Sequence, residues 1–393
     1  MGITMLNAPL KLASLIAISL LGLSACGGGS SSKFEAPKVL GGVFKDSNVK
    51  GLSFVSRGEE GITDEKGAFT YEDQRDVVFS LGGVELGTGK GKAVMTPIDL
   101  VTNGSLKKTE VINKVRFLMM LDKDNEPSNG IELSDKVQEK AKTWTSVNFK
   151  AGVFPSENVH SIVTEASVED AVAHQLPESD VALAHLKTTL LCANAGAYVG
   201  SYTGDQTGGM ALMVDPVTGR VQGSSYNPKT EVSTEIKSIV ALDYDKDLEF
   251  KSGEDSAKLF TGAVESTEVL SGKWNDRANL TISEGNFSVT RVGGKSDATY
   301  RYSVVFNGDD KGLYTFDVDE SNNVTGKSYS VSTKKESELS GEVDEDGLLA
   351  VTSESGDKLT GYIDKDTLAL DGTWRNDKNK SHGNFDGGGC KLN

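Results

Sequence analysis

The chain has 393 residues, a formal net charge of −16 and 37% hydrophobic residues. That is enough length for two or three domains of ~100–200 residues each, with apolar content to give them cores. The acidic balance disfavours nucleic acid and anionic lipid headgroups as partners, because both are drawn to basic surfaces. Forty-four glycines against eight prolines suit an all-β body with many tight turns rather than a disordered chain.

Residues 1–25 carry one charged side chain, Lys11, ahead of an uncharged apolar run from Leu12 to Leu23. A short positive region, an apolar core and small residues at its end predict a secretory signal peptide. The run is too short for a spanning helix, which needs ~18 apolar residues or more. Leu23-Ser24-Ala25-Cys26 resembles the lipobox of bacterial lipoproteins. The resemblance implies that Cys26 becomes the lipid-bearing first residue of the mature chain. Gly27 stands where lipoproteins kept at the inner membrane carry Asp, so the resemblance implies the outer membrane. Both its periplasmic and its surface-exposed face stay open. Residues 26–38 read as a flexible Gly/Ser linker. Its segment 27–33, Gly-Gly-Gly-Ser-Ser-Ser-Lys, reaches about 25 Å when extended.

Residues 39–105 show short alternating strands broken by turn residues, and predict a β-sandwich-like module. Asp64 to Gly67 has tight-turn chemistry, with Asp able to bond nearby backbone and Gly free to take positive φ. Thr63-Asp64-Glu65-x-Gly67-x-Phe69 resembles the transthyretin-like, carboxypeptidase-regulatory-like β-sandwich modules. Such modules act as spacers or adhesive units, and no catalytic residue carries over. Gly87-Thr88-Gly89-Lys90-Gly91-Lys92 lacks the Gly-x4-Gly-Lys-[Ser/Thr] spacing of a phosphate loop and predicts a flexible loop.

Residues 106–192 change to a helical period and read as a small helical connector. Val111, Val115 and Leu118 share one helical face, as do Val137, Ala141 and Trp144 behind a Ser134 N-cap. Ser167-Val168-Glu169-Asp170 fits a helix start, and a further helix is expected from Asp180 to Cys192. Within this section Asp122, Asp124 and Glu126 alternate in the chain's richest oxygen cluster. Such spacing suits a hard cation such as Ca²⁺. Pro127 and Leu133 break the EF-hand pattern, and the same residues suit a polar loop that satisfies its own backbone.

From residue 193 to 393 the chain is a succession of strands and turns that repeats itself. Gly204-Asp205 is answered by Gly308-Asp309, Gly223-Ser224-Ser225-Tyr226 by Gly326-Lys327-Ser328-Tyr329, and Gly272-Lys273-Trp274 by Gly372-Thr373-Trp374. Gly285-Asn286-Phe287 matches Gly383-Asn384-Phe385. The repeats, 196–293 and 300–390, predict an antiparallel meander closing into two barrels or one larger body. Gly-x-Trp at residues 272–274 and 372–374 is similar to the lipocalin signature, although here it lies near the end of each unit. Both tryptophans are expected to plug a barrel end. The meanders also resemble the barrel domains of surface lipoproteins that bind host or nutrient proteins.

With Cys26 assigned to lipid, Cys192 and Cys390 are left as an even pair in a compartment that permits disulfides. They bracket both repeats, which favours one closed unit. The fold class expected is mainly β: a sandwich-like module, a helical connector and a duplicated meander or barrel. No Gly-x-Ser-x-Gly elbow, His-Glu-x-x-His helix or Cys-x-x-Cys pair is present. His160, His174, His185 and His382 are scattered, although His174 and His185 sit on neighbouring predicted helices. The chain therefore reads as a non-enzymatic, lipid-anchored envelope protein with a protein or glycan partner at the surface. The alternatives are a lipocalin-like carrier and a hydrolase with an unmarked carboxylate pair.

Overall fold

The computed structural model describes residues 38–392 apart from 153, 243–247, 254–257, 267–268, 277–281 and 294–297. The expected signal peptide, the expected lipid-bearing Cys26 and the expected tether fall in residues 1–37, outside the described residues.

The chain opens with β1 (Val39–Phe44), β2 (Val49–Lys50), β3 (Ser53–Ser56) and β4 (Glu59–Ile62). It continues through β5 (Ala68–Glu72), β6 (Asp76–Leu81), β7 (Val84–Lys90) and β8 (Val94–Met95). These strands build a three-stranded sheet, β5-β1-β8, and a four-stranded sheet, β4-β3-β6-β7. Strict alternation puts Val77, Phe79 and Leu81 inward along β6. There Phe79 meets Phe44 at 4.6 Å and Phe69 at 5.1 Å. Asp64 Oδ1 accepts the Lys66 and Ala68 amides, both at 2.9 Å, and so turns the chain from one sheet into the other.

The glycine-lysine stretch 87–92 departs from the loop reading, because Gly87 to Lys90 belong to β7. The glycines serve close approach: a Cβ on Gly87 would sit 2.6 Å from the Leu100 carbonyl oxygen. Their absent side chains let the 3-10 turn Pro97–Leu100 lie on the strand.

The helical section comprises α1 (Thr109–Met120), β9 (Ile131–Glu132), α2 (Asp135–Ala141), α3 (Glu157–Asp170) and α4 (Ser179–Asn194). Ser134 caps α2, its hydroxyl accepting the Val137 amide at 3.2 Å. Ser167 to Asp170, expected to open a helix, instead form the last turn of α3, which ends at Ala171 with φ 55°. The inward face is set upstream by Val159, Ile162 and Ala166. The Ser167 hydroxyl donates back to the Val163 carbonyl at 2.7 Å rather than capping a new helix. β9 pairs in parallel with β2, and one apolar core runs continuously from Phe44 to Leu190. The sheets and helices are thus a single packed body.

Two barrels follow. The first holds β10 (Gly196–Gly204), β11 (Gly208–Val214), β12 (Val221–Asn227) and β13 (Val232–Val240). It is completed by β14 (Leu248–Ser252), β15 (Lys258–Ser266), β16 (Val269–Asp276) and β17 (Ser283–Val292). The second holds β18 (Tyr300–Gly308), β19 (Gly312–Val318), β20 (Asn323–Ser330) and β21 (Glu336–Val343). It is completed by β22 (Leu348–Ser353), β23 (Asp357–Ile363), β24 (Ala369–Asn376) and β25 (Ser381–Lys391). All neighbours are antiparallel, and β10 closes on β17 as β18 closes on β25.

Cys192 and Cys390 are bonded, their Cα atoms 5.7 Å apart. The single closed unit expected from that bracketing is replaced by two barrels, each sealed within its own repeat. The reason lies in register: Tyr202 faces Phe287 across the first closure and Phe306 faces Phe385 across the second. Each repeat therefore removes its own edges. Between the barrels lies a small apolar patch of Ala197, Ala211 and Met213 with Val305, Leu313 and Val331.

Candidate functional site

Both tryptophans close a barrel end as expected. Trp274 and Trp374 are buried, and their indole N–H groups donate to Thr203 O and Asn307 O, each at 2.9 Å. Gly285 and Gly383 make room for the rings, since a Cβ there would lie within 2.6 and 2.5 Å of Nε1. The barrel interiors are filled. In the first, Phe250 stacks on Phe260 at 5.0 Å and Phe287 meets both edge-on. In the second, Phe306 stacks on Tyr314 at 4.4 Å and lies edge-on to Trp374 at 5.7 Å.

At the described residues above these matched plugs the two ends differ. In the first barrel Lys258 lies over the Tyr202 and Trp274 rings, at 4.5 and 5.5 Å from their centroids. Burial holds its ammonium below the usual lysine range, with Asp276 opposing. The second barrel has Asp357 at the corresponding strand start and opens into a bowl of about 650 Å³. Asp357 accepts from Ser353 Oγ at 2.9 Å, Ser355 Oγ at 2.8 Å and Asn376 Nδ2 at 2.7 Å. Asp310 accepts from Ser332 Oγ at 3.0 Å and Ser330 Oγ at 3.1 Å. Burial, then Asp357 and Asp310, push the Tyr314 phenol upward, so it stays a hydrogen-bond donor at the bowl floor. The serine runs at 328–332 and 353–355 were the sequence signal for this bowl. Serine in β turns is too common to single them out.

A second concavity, of about 480 Å³, lies between the sheet-helix body and the barrels. Lys45, Ser47 and Asn48 come from the turn after β1, while His185, Thr188 and Thr189 come from α4. Loops of the barrels add Pro216, Val217 and Leu368, and the Cys192–Cys390 bond lies in its wall. Asn48 Nδ2 donates to Leu392 O at 2.9 Å, and the Ser47 amide donates to Thr189 Oγ1 at 3.0 Å. The Lys45 ammonium donates to Asn48 Oδ1 and, at 3.4 Å, to Leu392 O. Burial lowers Lys45 to about 8, and Arg301 and Lys66 add repulsion. Behind the wall His185 Nε2 lies 3.3 Å from the fully buried Asp46 carboxylate. Burial pulls the His185 imidazolium down, but Asp46 outweighs it and the net shift is upward.

The histidines therefore do not converge. His174 pairs with Asp170 at 3.0 Å, His185 with Asp46, and the exposed His382 with Asp309 at 3.1 Å. His160 is exposed, its Nδ1 3.2 Å from the Ser156 carbonyl.

Most of the oxygen-rich loop is held by its own donors, while Asp122 Oδ2 is buried without a hydrogen-bond partner. Asp124 accepts the Glu126 amide at 3.0 Å and Asn129 Nδ2 at 3.1 Å. Glu126 accepts from Ser128 Oγ at 2.5 Å, and buried Asp122 accepts the Glu132 amide at 3.0 Å. Burial raises Asp122 to about 7, helped by the adjacent Asp124 carboxylate. Among the described residues no group of three His, Cys, Asp or Glu side chains is arranged to hold a metal ion.

No family model matches the chain. No curated protein matches it either. Among solved structures, a protein of unknown function from the DUF3598 family of Nostoc punctiforme is similar over 51% of this chain and 96% of that one. The identity is 9% and the TM-score 0.18, too low to speak for fold or function.

Proposed function

We propose that the chain is a non-enzymatic, lipid-anchored protein of the bacterial outer membrane whose duplicated barrels form a binding or adhesion module. The observation that carries this reading is the divergence of two otherwise matched barrel ends. Identical tryptophan plugs sit under Lys258 in one barrel and under the Asp310–Asp357 bowl in the other. Interiors filled by rings in mutual contact leave the rims to act, and polar rims suit a protein or glycan partner. A lipocalin-like carrier needs an apolar void where these rings stand.

The test presents the mature chain from residue 26, with Cys26 replaced by Ser for solubility, to cognate surface proteins and glycans. Saturable binding that Asp310→Ala with Asp357→Ala abolishes supports the reading. Binding indifferent to the bowl and to Lys258→Ala overturns the rim assignment, and cleavage of a captured glycan overturns the non-enzymatic one.

A further inference from the structure

We propose that the 480 Å³ cleft between the turn after β1, α4 and the barrel loops is a binding site for a small amphiphilic carboxylate. The site is separate from the barrel rims and does not depend on their role.

Three observations carry it. The first is size and make-up. The volume falls within the ~300–1,000 Å³ of small-molecule sites, which pair apolar walls with a few placed polar groups. Here the barrel loops bring Pro216, Val217 and Leu368, and the sheet-helix body brings Lys45, Asn48 and Thr188.

The second is charge. In a chain of net charge −16, Lys45 reaches only neutral acceptors, Asn48 Oδ1 and Leu392 O. Among the described residues it has no carboxylate at ion-pair distance. Arg301 and Lys66 both repel it, Arg301 being itself paired with Asp317 at 2.8 Å, and Lys391 stands on the cleft wall. The adjacent Asp46 carboxylate is committed to His185, and the exposed Asp366 is the one acidic side chain of the lining. A half-buried ammonium whose acceptors are both neutral gains from a carboxylate supplied from outside.

The third is backbone. Ser47 and Leu368, both in the cleft lining, hold left-handed conformations, with φ 55° and 57°. Leucine resists that region, and such strain concentrates where a ligand is clamped. The Leu368 carbonyl accepts the Gly389 amide at 2.8 Å, and the neighbouring disulfide ties β25 to α4 across the site.

The test is calorimetric titration of the mature protein with octanoate, and with octanamide as its uncharged counterpart. Expected are one saturable octanoate site, binding at least about tenfold weaker for octanamide, and a similar loss in Lys45→Met. Affinity for octanoate should also fall as pH rises through about 8, where the Lys45 ammonium gives up its proton. Val217 is exposed, so Val217→Asp leaves the fold intact and should weaken octanoate by charge repulsion. Unchanged melting curves for both variants show that the loss is local. Equal affinity for the two ligands, no binding by the wild type, or binding untouched by both substitutions overturns the proposal.

Discussion

The three tryptophans fall one to a body, and this allows the coupling between the bodies to be measured. Trp144 sits in the sheet-helix body with its indole N–H on Glu165 at 2.9 Å, Trp274 in the first barrel and Trp374 in the second. Consider Trp374→Phe. The ring is 4% exposed, stacks edge-on against Phe306 and donates to Asn307 O at 2.9 Å. Phenylalanine keeps most of the apolar contact but loses the hydrogen bond, at about 1 kcal/mol, and leaves a void above Gly383 costing about 1–2 kcal/mol more. The second barrel should therefore lose about 2–3 kcal/mol, read by hydrogen exchange of β18–β25 in denaturant. With Trp144 also replaced by Phe, Trp274 is the remaining tryptophan and its fluorescence reports the first barrel, whose transition should stay in place. The two barrels close separately, and the apolar cluster they share among the described residues is the small patch around Met213 and Val305. If the Trp274 transition moves by the same amount, the barrels unfold as one unit and the separation argued from their closures is wrong. A shift of the second barrel below about 0.5 kcal/mol would refute the plug itself.

Further outcomes follow from the same structure. Asp122 has a folded pKa of about 7, above the ordinary 3.8, so its contribution is complete in acid and is lost as pH rises toward 7. Asp124 is shifted downward, first by Asn129, and so acts only at lower pH. Asp122→Asn keeps an acceptor for the Glu132 amide and gives Asp124 a donor. It should flatten the pH 4–7 stability profile and stabilise the protein at pH 8, by at most about 4 kcal/mol in denaturant titrations. Because no three carboxylate, His or Cys side chains among the described residues are arranged to hold an ion, melting curves with Ca²⁺ and with chelator should coincide; a rise in Tm with Ca²⁺ would favour the cation reading. Replacing Cys192 and Cys390 by Ser opens a loop of 198 residues and should cost up to about 5 kcal/mol in the chain-entropy model, measured by urea unfolding. In cells, Cys26→Ala should abolish incorporation of a fatty-acid analogue, and label that survives the change ends the lipobox reading.

What could be read from the sequence was local chemistry. Asp64, Ser134 and the paired Gly-x-Trp motifs announce a turn, a cap and a duplicated plug through neighbours within a few residues. Barrel closure was harder, because it depends on Tyr202 finding Phe287 and Phe306 finding Phe385 across a whole repeat. The end of α3 was misread because Ser167 has an N-cap side chain but spends it on the turn behind. The cleft was not legible at all. Lys45-Asp46-Ser47-Asn48 is an ordinary polar turn in sequence, and it acquires meaning only when Leu392 and the tip at Leu368 arrive beside it.

The bond between Cys192 and Cys390 also fixes how the protein carries a mechanical load. Consider the second barrel pulled away from the first residues of the chain. Tension entering β25 passes through the sulfurs into α4 and so into the sheet-helix body, bypassing the first barrel. Of the 198 residues the crosslink spans, those of the first barrel lie on the longer arm, and the shorter arm through Cys390 takes the tension first. The first barrel hangs outside the line of force and keeps its shape while its neighbour is strained.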